Sequence, residues 1–479
     1  MSLSRNIFSG ASWMVVQTIG TKAFSLVAQL ILAWLLLPED FGKIGLTYAI
    51  TNIGLLIQGF GLTDVLVSRG KSYVVYLPVA RSISLLAGGL CFVITVLMGL
   101  GGSYIYHDTQ IFYLVVIYCC SIPFNALSVV ADAKLRIDLR FKNLSMIALA
   151  DSFIVQGGTI LLACLSFGVY SFVIPPVAAA VFRCIYLYHL AGLSFFFFPT
   201  LRRWGLLVGK SVWGFVHQMV QRVIMQADYA ILGLFASQTV VGLYYMAYSL
   251  SVQVIALLAG NITPVLFPTL MRAQQEHVSI KNALYKCTVF LAMVGIPFSL
   301  WQGACAAPLI KLFLPEKWLG TILLVEILSL GMGYRVVSSL WAVAYRLRAK
   351  FDTQAYASIF SSIFFFMILI PLSFYYQAVG AAIAVSLFYI VSSPVLLYYS
   401  FRDYSIPLHQ IISVFVKYSI LGLVAFVPIY LLSRQWNNEW LSLALNAVLS
   451  PGVYVVLIRL FAKEEYAELI NKFKLFLKK

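Results

Sequence analysis

The sequence predicts an all-α integral membrane protein of 14 transmembrane helices, arranged as two six-helix lobes with pseudo-two-fold symmetry and two further C-terminal helices. Three observations lead there. Of the 479 residues, 62% are hydrophobic and only 10% charged, and the mean hydropathy is +0.93. Soluble domains carry about 25% charged residues, so this composition belongs to a lipid environment. Fourteen mostly apolar runs each approach the ~20 residues that a spanning helix needs. They lie at 10–37, 43–65, 81–105, 111–133, 143–166, 168–192, 211–236, 239–264, 286–310, 319–345, 353–376, 378–400, 411–433 and 440–461. The third observation is charge placement. With odd-numbered connections outside, the inside segments hold 23 Lys and Arg, and the outside ones only Lys43, Lys311, Lys317 and Arg434. That asymmetry is the positive-inside pattern, which puts both termini of a multi-pass membrane protein in the cytoplasm and requires an even number of crossings. It also accounts for the net charge of +16 without a nucleic-acid partner.

Taken in order, the first run follows only Arg5 and lacks a small-residue cleavage pattern after a short apolar core, so it is expected to remain as helix one. The first six runs form an N-lobe, 1–192. A basic stretch, 193–210, serves as the cytoplasmic linker. Runs seven to twelve form a C-lobe, 211–400, and 401–479 adds two uniformly apolar helices and a tail. In that tail Leu469, Ile470, Phe473, Phe476 and Leu477 alternate with lysines, as in a helix lying on an anionic leaflet. Trp34, Trp318, Trp436 and Trp440 at outer ends and Trp204 at an inner end fit interfacial belts. All seven cysteines fall inside apolar runs with no paired spacing, and read as small buried hydrophobes.

The two lobes announce themselves through a shift of 200 residues. It pairs Trp13 with Trp213, Val16 with Val216, Ile31 with Ile231, Leu32 with Leu232, Gly42 with Gly242 and Tyr48 with Tyr248. In the same frame Lys22 meets Arg222, both about half-way across the bilayer. A charge at that depth costs roughly 3 kcal/mol or more unless it meets a partner or water. Around Lys22, residues Thr18, Ser25 and Gln29 share a helical face; around Arg222, Gln218, Met225 and Tyr229 do, flanked by His217, Gln221 and Gln226. These stripes either glue helices together by hydrogen bonds or line a hydrated cavity, and the matched cations favour the cavity. A cationic cavity asks for an anionic, phosphate-bearing substrate.

Arg335, beside Tyr334 and ahead of Ser338 and Ser339, is a candidate third cation. Arg183 and Asp151 sit at equal depth in adjacent runs and read as a structural ion pair. Asp151, Asp228 and Glu326, with His217, are the candidates for coupling to protons or Na+; no other cofactor and no metal is expected. The prolines Pro175, Pro176, Pro264 and Pro268 are candidate bends. Outer connections offer only the dispersed acids Glu39, Asp40, Asp108, Glu316 and Glu439, and no outer connection exceeds roughly a dozen residues, too short for a soluble domain. There is no nucleophile elbow, no glycine-rich phosphate loop and no metal-ligand cluster, so no enzyme is predicted.

Four stretches resemble the polysaccharide-export flippases (Wzx-like) of the multidrug/oligosaccharidyl-lipid/polysaccharide (MOP) superfamily: LAWLLLPEDFGKIGL (32–46), VVGLYYMAYSL (240–250), NITPVLFPTLMRAQ (261–274) and LPEKWLGTILLVEILSLG (314–331). The resemblance implies a V-shaped fold whose lobes open alternately to either side. It implies a flippase of polyprenyl-diphosphate-linked oligosaccharides of the undecaprenyl type, serving O-antigen, lipopolysaccharide or exopolysaccharide assembly and working beside a polysaccharide polymerase. It also implies cavity cations, carried over here to Lys22 and Arg222 with Arg335 as a further candidate, and a lipid-tail groove formed with the last two helices. Two other readings are a cation-coupled drug or metabolite exporter of the same fold, and a membrane glycosyltransferase or polymerase acting on lipid-linked sugars.

Overall fold

The computed structural model describes residues 3–55, 66, 73–138, 140–194, 212–253, 266, 270–271, 279–348, 350–436 and 438–467. Among them the chain is helical throughout and contains no strand. The helices are α1 (Leu3–Leu35), α2 (Pro38–Gly54), α3 (Tyr73–Ile105), α4 (Thr109–Cys119), α5 (Ile122–Ile137), α6 (Phe141–Cys164), α7 (Ile174–Ala191), α8 (Val212–Phe235), α9 (Gln238–Ser251), α10 (Ile280–Phe313), α11 (Thr321–Leu347), α12 (Phe351–Phe401), α13 (Leu408–Ser433), α14 (Glu439–Ala444) and α15 (Ser450–Phe461). Nine segments among the described residues are long and apolar enough to cross a membrane by length and composition. The tail beyond residue 467, most of the linker, most of the 261–274 motif, Trp204, Pro264 and Pro268 lie outside the described residues.

Local chemistry explains where helices break. The fourth apolar run divides into α4 and α5, and Pro123 sits in the first turn of α5, where its missing N–H is not needed. Pro175 and Pro176 likewise start α7 after a 3-10 turn at Gly168–Phe172, so they initiate this helix instead of bending it. Inside α12, Gln377 has φ 48 and ψ −127, separating the two helices expected at 353–376 and 378–400. A single π turn, Leu445–Leu449, joins α14 to α15. The fully buried Asn446 donates there from Nδ2 to Ser433 Oγ at 2.8 Å and to Ser442 O at 2.9 Å.

Two compact units emerge, Met1–Gly242 and Leu243–Lys479. In the first, α1 packs on α6, with the rings of Phe24 and Phe153 4.5 Å apart. Helices α2 and α9 meet through two glycines: a Cβ on Gly42 would fall 1.9 Å from the carbonyl oxygen of Gln238, and one on Gly242 would fall 1.7 Å from that of Pro38. Positions 38 and 238 stand in the same 200-residue frame as 42 and 242. This contact is therefore reciprocal, each glycine meeting the counterpart of its own helix's start, as across a local two-fold axis. In the second unit α10 and α11 approach closely at Gly333, whose added Cβ would lie 2.5 Å from the Cα of Ile296. Tyr334 of α11 stacks on Phe415 of α13 at 5.3 Å and hydrogen-bonds Ser419 at 2.6 Å.

Two expectations need correction. Trp318 is fully buried, unlike the exposed Trp34, Trp436 and Trp440, because its short 3-10 turn folds it inward. Cys120 and Cys164 are exposed, being on outer faces of their elements, whereas Cys91, Cys119, Cys184 and Cys305 are buried.

Gly242→Ala is expected to cost about 1–3 kcal/mol through overpacking at the α2–α9 crossing. Thermal unfolding of the purified protein in detergent would fall by several degrees. Gly89→Ala, where nothing lies within 4 Å, is the control and is expected to unfold at or above the wild-type temperature.

Candidate functional site

The face of α1 that meets α6 carries Gly20, Phe24 and the fully buried Ala28. Residue 22 lies about 200° around the helix from both 20 and 24, so Lys22 projects from the opposite side. Thr18 and Gln29 share that side, and all three are half-buried. Ser25 lies at its edge, where it accepts a hydrogen bond from Gln156 of α6 at 3.5 Å. On α8, Gln218, Arg222 and Met225 form an exposed stripe, with His217, Gln221 and Gln226 half-buried beside it. The stripe stops there, since Tyr229 is buried together with Asp228, whose Oδ1 accepts from the Tyr229 N–H at 2.9 Å. Among the described residues neither Lys22 nor Arg222 has a hydrogen bond or an ion pair.

Arg183, Asp151, Glu326, Arg335 and Lys417 each have a charged or polar partner, although Asp151 Oδ1 and Arg183 Nε accept and donate no hydrogen bond among the described residues. Arg183 lies 3.7 Å from Asp151 and also donates to Asn125 Oδ1, which is the structural pair expected from their depth. A cavity of about 280 Å³ adjoins them, lined also by Gln17, Asp132, Arg136 and Ser145. Glu326 Oε1 accepts from the Tyr430 hydroxyl at 2.8 Å. Arg335 donates to the Tyr248 hydroxyl at 2.8 Å and lies 5.1 Å from the centre of the Tyr389 ring, which makes it a cation held among aromatics. Lys417 reaches Glu465 at 2.7 Å and so is paired.

A polar clasp joins α2, the turn before α4, and α9. Lys43 Nζ lies 2.9 Å from Glu39, 3.8 Å from Asp108 and 2.9 Å from Gln110 Oε1. Asp108 caps α4 through the Gln110 N–H at 2.7 Å, and its other oxygen accepts from Gln238 Nε2 at 2.8 Å. Tyr106 donates to the Ala230 carbonyl of α8 at 3.1 Å. Sequence reasoning counted these acids as dispersed and missed the clasp. Its one visible signal was Lys43, a rare basic residue in an otherwise uncharged-to-acidic outer connection.

Two apolar hollows mark the second unit. One of about 420 Å³ lies between α10, α13 and α15, walled by Met293, Pro297, Trp301, Phe426, Tyr454 and Ile458. The other adjoins Glu326.

Comparisons with known proteins add to this picture. A family model described as polysaccharide biosynthesis protein matches residues 31–323. The teichuronic acid biosynthesis protein TuaB of Bacillus subtilis (strain 168) is 20% identical over 342 residues, covering 69% of this chain and 68% of the relative. The succinoglycan biosynthesis transport protein ExoT of Rhizobium meliloti (strain 1021) is 22% identical over 339 residues, covering 69% and 67%. The solved structure of the lipid II flippase MurJ in an inward closed conformation superposes with a TM-score of 0.76 at 17% identity, covering 95% of this chain and 99% of that one. The fold is thus the one that MurJ has.

Arg183→Met, which strands a carboxylate, is expected to destabilise by about 1–2 kcal/mol, less than for a fully buried pair because both side chains keep some exposure. The double variant Arg183→Met, Asp151→Leu should recover most of that loss. Thermal unfolding of the purified variants is the check.

Proposed function

Since the chain belongs to the polysaccharide biosynthesis protein family, we propose that it is a flippase carrying polyprenyl-diphosphate-linked oligosaccharide repeat units from the cytoplasmic to the outer leaflet of a bacterial inner membrane. The observation that carries this reading is the pair Lys22 and Arg222, matched across the two halves of the sequence and unpaired among the described residues. An unpaired ammonium and guanidinium at membrane depth demand water or an anion. A diphosphate supplies the anion, with charge-assisted hydrogen bonds to both groups.

The work of such a protein is desolvation. Each polar group of a glycan carried unaided through hydrocarbon costs several kcal/mol. A hydrated path lined by Thr18, Gln29, Gln218, Gln221 and Gln226 removes most of that barrier, with Lys22 and Arg222 holding the diphosphate. Arg335, already engaged by Tyr248 and Tyr389, serves as a reserve cation. The apolar hollow between α10, α13 and α15 suits the prenyl tail. Transport proceeds by alternating access between lobes 1–192 and 211–400, with both termini in the cytoplasm. The clasp of Lys43, Asp108 and Gln238 must part when cargo leaves outward, and Asp228 or His217 would take up the coupling proton or Na+. A polysaccharide polymerase would receive the product. The chain is a transporter and not an enzyme, in keeping with the transport role in ExoT's name. An exporter of cationic drugs is disfavoured, because bare cations repel such cargo.

Reconstituted with a labelled lipid-linked oligosaccharide, the Lys22→Ala, Arg222→Ala double variant is expected to lose at least about tenfold in translocation rate, each lost charged contact being worth roughly 1.5–3 kcal/mol. Wild-type rates in that variant would refute the cation site. Tethering position 108 to 238 with a thiol crosslinker, after Asp108→Cys and Gln238→Cys, should stop turnover, and reduction should restore it; continued turnover in the tethered protein would exclude the clasp as a gate.

A further inference from the structure

The hollow that adjoins Glu326 has a volume of about 230 Å³ and lies between α10, α11 and α13. Its walls are almost wholly hydrocarbon, from Leu300, Leu323, Leu330, Leu423, Phe426 and Val427. Leu323, Leu330, Leu423 and Val427 are also exposed on the outside of the unit, so the hollow opens sideways, toward the space that lipid fills. Into this apolar surround the chain puts one carboxylate, that of Glu326 in the second turn of α11.

That carboxylate lacks a counter-charge. Its Oε1 accepts from the Tyr430 hydroxyl at 2.8 Å, while Oε2 has no hydrogen bond and no cation forms an ion pair with it among the described residues. Arg434 lies over the face of the Tyr430 ring, 5.2 Å from its centroid, and does not line the hollow. A carboxylate at membrane depth held by a single neutral hydroxyl calls for a cation. A second group points to the same occupant. Ser329, one turn further along the same face of α11, lines the hollow at 1% exposure, and its hydroxyl has no partner among the described residues. Gly303 of α10 packs against it, an added Cβ there falling 3.1 Å from Ser329 Cβ, and brings no side chain that could bond that hydroxyl.

We infer that the hollow binds a lipophilic primary amine, its ammonium donating to the Glu326 carboxylate and the Ser329 hydroxyl and its hydrocarbon body lying among the leucines. The donor set decides the class. Three oxygen-bearing side chains line the hollow, those of Glu326, Ser329 and Tyr430, too few for Ca2+ or Mg2+, which take about six or more oxygens. Phosphates and carboxylates are repelled by Glu326. A neutral hydrocarbon chain leaves both polar groups unmet, and a quaternary ammonium has no N–H to give Ser329. A primary ammonium brings one charge and a set of N–H donors, and its apolar body gains from burial. The sideways opening admits such an amphiphile from the bilayer. The site lies in the second unit, whereas Lys22 and Arg222 lie in the first, and its ligand carries the opposite charge to the proposed cargo. It therefore stands whether or not the chain flips a lipid-linked sugar.

The test is a titration of the purified full-length protein with decylamine by native mass spectrometry, beside decanol and decyltrimethylammonium, which carry the same chain. Decylamine is expected to bind at least about tenfold tighter than decanol, as one charge-assisted contact would give. Glu326→Gln keeps an oxygen for the Tyr430 hydroxyl but loses the charge, and should erase that difference. Ser329→Ala should weaken decylamine about fivefold and leave decyltrimethylammonium unchanged. Because the Ser329 hydroxyl has no partner among the described residues, its loss should leave the unfolding temperature at or above that of the wild type, which separates a ligand contact from a structural one. Leu323→Trp, at the exposed rim, should weaken decylamine and decanol alike by filling the hollow. Equal binding of decylamine and decanol, or decylamine affinity unaltered in Glu326→Gln and Ser329→Ala, would overturn the site. So would phosphatidylethanolamine binding as tightly as decylamine with a dependence on Arg434 as well as Glu326, which would make this a phospholipid headgroup site.

Discussion

A charged side chain inside a membrane must find an opposite charge, a dense set of dipoles, or water, and this requirement orders the whole structure. Asp151 and Arg183 find each other, Glu326 finds the Tyr430 hydroxyl, Arg335 finds Tyr248 and Tyr389, and Lys417 finds Glu465. These partners tie α6 to α7, α11 to α13, and α13 to the segment after α15. Charge in such places is structural cement. Lys22 and Arg222 stand outside that scheme, projecting from α1 and α8 on sides turned away from their helix partners. The contrast between partnered and unpartnered cations sets Lys22 and Arg222 apart from the residues that hold the fold, and the proposed cargo site rests on it.

The same frame of 200 residues that relates those two cations also relates the glycines at the α2–α9 crossing. Because each glycine meets the carbonyl opposite its counterpart, neither can gain a methyl group without displacing backbone. Such a crossing brings the two helix backbones close at one point. The Lys43, Asp108 and Gln238 clasp lies beside it, made of exchangeable polar contacts instead of packed apolar surface. Under the proposed alternating-access cycle, the glycine crossing would act as a pivot and the neighbouring clasp as a latch that parts.

Much of the helix pattern was legible because a spanning segment needs only length and hydropathy. The described helices fall on the apolar runs, and the break between 376 and 378 reappears as the positive φ of Gln377 inside α12. What sequence left unread involved placement on a helix face or long-range pairing. Tyr229 shares the spacing of Gln218 and Arg222, yet it is buried, since a turn of α8 beyond Met225 already packs against its neighbours. Pro175 and Pro176 resemble kinks in a list of prolines but occupy a first turn, where proline is free to sit. Asp108 and Gln238 are 130 residues apart, and no local pattern joins them. The Asp151–Arg183 pair was readable because equal depth in adjacent helices is a one-dimensional fact.

The central claim is that Lys22 and Arg222 face water reachable by a phosphate. Its most direct measurement places cysteines at 22 and at 222, in a background with the seven native cysteines replaced, and follows their reaction with a charged, membrane-impermeant thiosulfonate. The account predicts that both react readily and that lipid-linked oligosaccharide slows both together. Reaction at either position as slow as that of a cysteine at the exposed, apolar Leu97 would contradict it.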